Sequence, residues 1–253
     1  MKIIILSAGQ GTRLYPHTVD RPKCLVPVAD DCTLLGWQLR QLEAAGGREV
    51  VIVTGFGADQ VAAEIRRYEG AMTVRTLHNP AYATTDNLAS ALLAAPEMDR
   101  DFIILNGDTL FTAGVPAGLC AAPVEPVRVT VAWKNRFDDD DMKAIVTDQR
   151  LQAVAKTLPA SAANAESIGM ILFRGTGVTW FREALAAAAQ NGNAARQFYL
   201  SAVDGLAKQH PAGIHAVSQD EWAEVDVPAD LERARLCLAR WRQAESPLPA
   251  SRT

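Results

Sequence analysis

The chain has 253 residues, 49% of them hydrophobic, and a formal net charge of -4. That length allows one large α/β domain or two small ones around a packed core. The acidic balance leaves no electrostatic footprint for a nucleic-acid duplex or an anionic membrane surface, so any anion site must concentrate positive charge locally.

Strand and helix patterns alternate through the first half. Residues 2–6 read as an apolar strand that opens into the small-residue turn Ser7-Ala8-Gly9-Gln10-Gly11-Thr12-Arg13. Residues 34–45 set Leu35, Leu39 and Leu42 on one helical face, with Gly46-Gly47 as the stop. A strand at 50–54 ends at Gly55, and a helix at 58–68 turns Val61 and Ile65 inward. A third strand covers 74–78, and a short helix over 86–95 has Asp86 as its N-cap. The run FIILN at 102–106 is apolar throughout, as buried parallel strands tend to be. The alternation predicts βαβ units in a Rossmann-like three-layer α/β/α fold with a mostly parallel, mixed sheet.

The second half reads differently. Strand patterns at 127–133, 143–147, 151–156 and 168–173 are closely spaced and predict a small antiparallel addition beside the parallel sheet. Helices follow at about 178–190 and 195–208, then short strands at 215–218 and 222–225, then a last helix over roughly 229–243. With no internal repeat and no linker, 1–244 reads as a single domain, and the Pro- and Ser-rich stretch 245–253 as a flexible tail. Cys24, Cys32, Cys120 and Cys237 lack the close spacing of a zinc knuckle or redox motif, so reduced thiols are expected. The first residues carry no leader pattern, and no apolar run approaches the ~20 residues of a membrane span, so a cytoplasmic location is expected.

The chemistry begins in the glycine turn. A small-residue loop after a strand leaves backbone N–H groups free to point at a phosphate. Arg13 and Lys23 add fixed positive charge there. Leu14 stands where a dinucleotide fingerprint needs a third glycine, and no Gly-Lys-Ser/Thr end makes the loop a P-loop. Gly9, Gly11, Thr12, Arg13, Pro16, Thr18, Pro22 and Lys23 together point to a grip on a nucleoside triphosphate. Asn106-Gly107-Asp108 then puts a carboxylate at the C-terminal edge of a parallel strand, where ligands bind. A hard oxygen donor there suits Mg2+; the alternative is a turn aspartate capping the next helix. In Trp222-Ala223-Glu224-Val225-Asp226, Asp226 is either a second metal carboxylate or the cap of the final helix, with Glu224 solvated. His17, His78, His210 and His215 are scattered and form no nucleophilic triad.

In this order, SAGQGTRLYP, RPKCLVPV, NGD and EVD resemble the nucleotidyltransferases that make NDP-sugars and CDP-alcohols. The resemblance runs from about Met1 to Leu238. Asn79-Pro80-Ala81-Tyr82, Thr85-Asp86-Asn87-Leu88-Ala89-Ser90, Asp139-Asp140-Asp141-Met142-Lys143 and Glu166-Ser167-Ile168-Gly169-Met170 look most like the phosphocholine cytidylyltransferase group and its relatives for aminoalcohol phosphates and phosphonates. It implies a donor half over about 1–112 and an acceptor half over about 113–244. It further implies that Arg13 and Lys23 contact the triphosphate and act in catalysis, and that Asp108 and Asp226 hold Mg2+. Leu6, Ala8, Gly9, Gly11, Thr12, Asn87 and Ser90 would lie near the nucleotide, and Lys156 near the acceptor phosphate.

At the acceptor end a cationic tail favours carboxylates and an aromatic face. Asp138 to Asp141 supply the former, and Trp133 or Tyr199 the latter. Lys143 suits an anionic group, so a phosphate or phosphonate bearing an amine satisfies both, with Asp141, Lys143, Lys156 and Glu166 as candidate contacts. The expected activity is therefore Mg2+-dependent transfer from CTP to such an acceptor by a monomer or homodimer. The rival readings are a sugar-1-phosphate nucleotidylyltransferase and a non-catalytic relative that senses nucleotides.

Overall fold

The computed structural model describes residues 1–190 and 196–245. In chain order the elements are β1 (Lys2–Ser7), β2 (Pro27–Ala29), β3 (Cys32–Thr33), α1 (Leu34–Ala44), β4 (Glu49–Thr54), α2 (Ala58–Ile65), β5 (Thr73–His78), α3 (Asn87–Leu93), β6 (Phe102–Asn106) and β7 (Thr109–Phe111). They continue with α4 (Gly114–Ala121), β8 (Val127–Trp133), β9 (Lys143–Thr147), β10 (Arg150–Val154), β11 (Ala165–Phe173), α5 (Thr176–Gln190), α6 (Leu200–Ala207), β12 (Gly213–Val217), β13 (Trp222–Glu224) and α7 (Pro228–Glu245).

Nine strands form one sheet in the order β5-β4-β1-β6-β11-β8-β12-β10-β9. β5, β4, β1 and β6 run parallel, with Ile4 opposite Val51 on one side and Ile104 on the other. Strand β11 then enters antiparallel to β6, and only β12 with β8 restores parallel pairing in the second half. Period-two alternation splits the core between two faces. Ile3, Ile5, Ile103 and Leu105 pack with Leu35, Leu39, Val61 and Leu119 from α1, α2 and α4. Ile4, Phe102 and Ile104 pack with Leu88, Phe181 and Val203 from α3, α5 and α6. Each such side chain removed from water contributes about 1.5–3 kcal/mol. This is the expected three-layer α/β/α arrangement with a mixed sheet.

As expected, the antiparallel strands lie beside the parallel ones, and they extend the same sheet, β11 zipping directly onto β6. Several details differ from the sequence reading. Helix α6 starts at Leu200, since Gln197 and Tyr199 are engaged by α3: Leu88 N donates to Gln197 O at 3.1 Å and Tyr199 N to Asn87 Oδ1 at 2.9 Å. Ala195, where that helix was expected to begin, lies outside the described residues. Helix α4 and the hairpin β2–β3 carry too little periodicity to be read locally. Glu245 belongs to α7 rather than to a tail, and 246–253 lie outside the described residues. Among the described residues no helix is long and apolar enough to cross a membrane, and all four cysteines are free.

Two features outside the main sheet position the site. Strand β13 pairs antiparallel with β7, with Glu224 opposite Thr109. Helix α7 then packs Leu231, Leu238 and Trp241 against Leu14, Val26 and Trp37. Trp37 stacks on Trp241 at 6.0 Å between ring centroids and donates its Nε1–H to Phe111 O at 2.8 Å. The last helix thus clamps the glycine loop and the ribbon together.

Candidate active site

Strand β1 delivers the chain to the loop at Ser7. Gly11 takes up a left-handed conformation, φ 70° and ψ 43°, which favours glycine. A Cβ at Gly11 would also come within 3.0 Å of Lys23 Cβ. The bare backbone therefore lets the Lys23 stem lie beneath the loop. Thr18 Oγ1 donates to Gly11 O at 2.7 Å, and Gly107 N to Leu6 O at 2.9 Å, tying the loop to the end of β6. Leu6, Gly9, Gly11, Arg13, Lys23, Asp108 and Asp226 enclose a small cleft of about 170 Å³ together with Ser7 and Gly107.

Inside it, opposite charges meet. Lys23 Nζ lies 2.9 Å from Asp108 Oδ2 and also bonds Asp226 Oδ1. Burial alone would lower the Lys23 ammonium, but Asp108 and Asp226 outweigh that and raise it above its usual value. Arg13 Nη2 donates to Asp226 Oδ2 at 3.0 Å. Burial would raise the Asp226 carboxyl, yet Lys23 and Arg13 hold it below the usual range. Asp230, in the first turn of α7, accepts with Oδ2 from Asp226 N at 3.0 Å and Val227 N at 2.9 Å, closing the backbone just before the helix. The Asp226 side chain is therefore left to the cleft, and the capping alternative for it falls.

Glu224 joins this pair. Oxygen atoms of Asp108, Glu224 and Asp226 all lie within 4.8 Å of one another. Burial, then the charges of Asp108 and Asp226, push the Glu224 carboxyl up to about 8. Asp108 Oδ1 is buried and has no hydrogen-bond partner among the described residues. Three crowded hard oxygen donors, one orphaned, fit a small divalent cation such as Mg2+. Glu224 was read as solvated; instead it faces Asp108 across the ribbon. The alternation of Glu224 and Asp226 on one side of an extended segment was the signal that could have found it.

On the outer side of the glycine loop an open cleft of about 700 Å³ is lined by Gly9 to Thr12, Tyr82 to Asp86 and Arg196. Ala8, Asn87 and Ser90 stand behind its wall. Ala8 O accepts from Phe56 N at 3.1 Å, and the Asn87 side-chain oxygen is taken by Tyr199 N. Ser90 Oγ is 3.1 Å from Asn79 Nδ2, while Asn79 Oδ1 accepts from Ala81 N, so Ser90 shapes the loop from below.

The other neighbour is an acidic cleft of about 410 Å³ lined by Arg13, Lys134, Asp138 to Asp141, Glu166, Trp222, Glu224 and Asp226, among others. Lys134 Nζ sits 2.8 Å from both Asp141 Oδ2 and Glu166 Oε2. Burial pushes Glu166 up to about 7 although Lys134 pulls the other way. Burial also acts against the charge on Asp141, but Lys134 and the Asp138 N–H bring it below its usual value. Lys143 is buried, and its ammonium donates to Lys156 O at 2.8 Å rather than lining the cleft. Lys156 reaches Asp140 at 3.4 Å and lies 5.1 Å over the Phe198 ring. Tyr199 is buried with its O–H on Gly169 O, and neither it nor Trp133 lines this cleft. Sequence alone does not single out Lys134, because the pocket it joins brings Asp141, seven residues on, together with Glu166 from β11.

A mixed α/β sheet with a cation-bearing glycine loop at its carboxyl edge and a carboxylate cluster opposite defines the nucleotidyltransferase class of fold. The chain belongs to the family of the MobA-like NTP transferase domain, which it matches over residues 3–200. It is 32% identical over 250 residues to the CMP-5'-(3-aminopropyl)phosphonate synthase of Streptomyces rubellomurinus, covering 92% of this chain and 38% of that protein. It is 34% identical over 111 residues to the choline-phosphate cytidylyltransferase of Streptococcus pneumoniae, covering 44% of this chain and 46% of that protein. The chain thus spans less than half the length of these curated relatives. Its fold is similar to the solved CTP:phosphocholine cytidylyltransferase LicC of Streptococcus pneumoniae, with a TM-score of 0.76 and 19% identity over 94% of this chain and 98% of that one.

Proposed function

We propose that the chain is a Mg2+-dependent cytidylyltransferase that joins CTP to a small phosphorylated amino alcohol or phosphonate and releases pyrophosphate. The observation that carries this reading is the carboxylate-lined cleft opening directly beside the Lys23–Asp108–Asp226 centre. A sugar hydroxyl surface needs no such density of negative charge, whereas an ammonium group does. The similarity to cytidylyltransferases supports CTP as donor.

Donor and acceptor would meet within one domain, 1–244, with the donor held by 1–112 and the acceptor by 113–244. Arg13 and Lys23 bind and orient the triphosphate, and the loop N–H groups after Ser7 approach its oxygens. Asp108 and Asp226, with Glu224 beside them, would hold Mg2+, which supplies neutralisation of phosphate charge. An acceptor phosphate is mostly dianionic at neutral pH, its second pKa being about 6, so its oxygen attacks the α-phosphorus without a general base. A new P–O bond forms to that oxygen, and the bond from the α-phosphorus to the bridging oxygen breaks, so pyrophosphate carries the electron pair away. The protein's part is positioning and charge stabilisation. Glu166 and Asp141, neutralised by Lys134, form the far wall of the acceptor cleft.

A pyrophosphate-release screen of CTP, UTP, GTP and dTTP against phosphocholine, 2-aminoethylphosphonate and glucose 1-phosphate tests the proposal. Release with CTP and an amine-bearing acceptor is the expected result. Turnover confined to glucose 1-phosphate would make the chain a sugar-1-phosphate nucleotidylyltransferase. Nucleotide binding without turnover of any pair would make it a sensor.

A further inference from the structure

Arg13 lines both the small cleft around Lys23 and the acidic cleft. Its two terminal nitrogens hold carboxylates from opposite sides: Nη1 donates to Asp140 Oδ2 at 2.9 Å, and Nη2 to Asp226 Oδ2 at 3.0 Å. Asp226 follows β13, whereas Asp140 comes from the segment between β8 and β9. The Asp140 side chain is 71% exposed, and among the described residues its other oxygen has the longer 3.4 Å contact with Lys156. Asp141 and Glu166 differ, because Lys134 stays fixed between them at 2.8 Å.

A guanidinium presents one planar fork, and phosphate oxygens take that fork in the same way as carboxylates. Arg13 cannot give a triphosphate the same N–H groups that it gives Asp140 and Asp226. We infer that Asp140 is a specificity-determining residue whose carboxylate passes from Arg13 to the acceptor's ammonium group when Arg13 turns to the triphosphate. This rests on the reading of Arg13 as a triphosphate ligand proposed above. Donor binding then creates the acceptor's cation site: a positive fork leaves the cleft mouth and an anionic triphosphate arrives beside it. In the resting protein Asp140 competes with nucleotide for Arg13, and coupling of this kind is reciprocal.

The test compares the intact protein with Asp140→Asn and, as a charge control, Asp139→Asn. CTP affinity in the presence of Mg2+ and absence of acceptor is measured by calorimetry. Steady-state KM is measured for 2-aminoethylphosphonate and for ethylphosphonate, which lacks the amine. Asp140→Asn is expected to bind CTP about 2- to 5-fold more tightly, the range set by an exposed ion pair. Its KM for 2-aminoethylphosphonate should rise about 10-fold, as loss of a charged hydrogen-bond partner predicts, while that for ethylphosphonate stays unchanged. Asp139→Asn should leave CTP affinity at the wild-type value. Unchanged CTP affinity in Asp140→Asn, equal tightening in both variants, or an equal KM change for both acceptors would each overturn the inference. Failure of the unaltered protein to bind CTP overturns the proposed function itself, and is seen before any variant is made.

Discussion

The Lys23 ammonium lies 2.9 Å from one oxygen of Asp108, while the other oxygen of Asp108 is buried without a hydrogen-bond partner among the described residues. One lysine thus half-satisfies Asp108 while it also bonds Asp226. The cation both compensates the cluster and leaves a donor atom unclaimed.

Removing that cation leaves Asp108, Glu224 and Asp226 facing one another. Lys23→Met is expected to lower unfolding free energy by about 3 kcal/mol, the low end for loss of one partner of a buried pair. Addition of Mg2+ should recover part of this loss, because a divalent ion replaces the missing charge. Turnover should fall by about 100-fold or more. Urea melts with and without Mg2+, beside pyrophosphate release, check both parts.

Asp108→Asn and Asp226→Asn each remove one hard anionic donor. Turnover should drop by about 100-fold or more. The wild-type protein should gain thermal stability as Mg2+ is added, by mass action on the folded state, and each variant should lose most of that gain. A wild-type rate in either variant would sink the metal assignment.

Gly11→Ala probes the loop. The left-handed φ costs an alanine about 1–2 kcal/mol, and the added methyl meets Lys23 Cβ at 3.0 Å. A modest fall in stability with a larger fall in kcat is expected, since the Lys23 stem must shift. Thermal melts and steady-state kinetics separate the two effects.

Glu166 gives a pH signature. Burial raises its folded value to about 7 from an ordinary 4.5. Between those values the folded chain holds a proton that the unfolded chain has lost, so stability falls as pH rises through this window. Glu166→Gln carries no such proton. The variant's stability relative to wild type should therefore increase, by on the order of 2–3 kcal/mol, on going from about pH 4.5 to above about pH 7. Denaturant melts across that range check it; parallel curves would contradict the assignment.

The glycine loop and the carboxylate after β6 are legible in the sequence because their signals are local. Gly9, Gly11 and Arg13 stand within one turn after β1, and Asp108 follows the apolar strand FIILN. The acceptor side is built from separations the eye does not bridge: Lys134 meets Glu166, and Arg13 meets Asp140. Asn87 and Ser90 read as ligand-side residues from the sequence, and in the fold Asn87 Oδ1 also accepts from Tyr199 N and Ser90 Oγ from Asn79 Nδ2. Nothing in a lone Asn or Ser tells whether its partner is backbone, side chain or ligand. The mixed sheet is legible in the strand spacing, but that spacing does not say that β11 docks on β6.

The ribbon of β7 and β13 also sets a timetable. As the chain leaves a ribosome, the loop, Lys23 and Asp108 emerge early, whereas Glu224 and Asp226 arrive only with the strand that pairs Trp222 to Phe111. Until that strand and α7 dock, the charge cluster lacks two of its three acids. A half-made chain therefore owns the loop, Lys23 and Asp108 without Glu224 and Asp226, and the cluster is completed last.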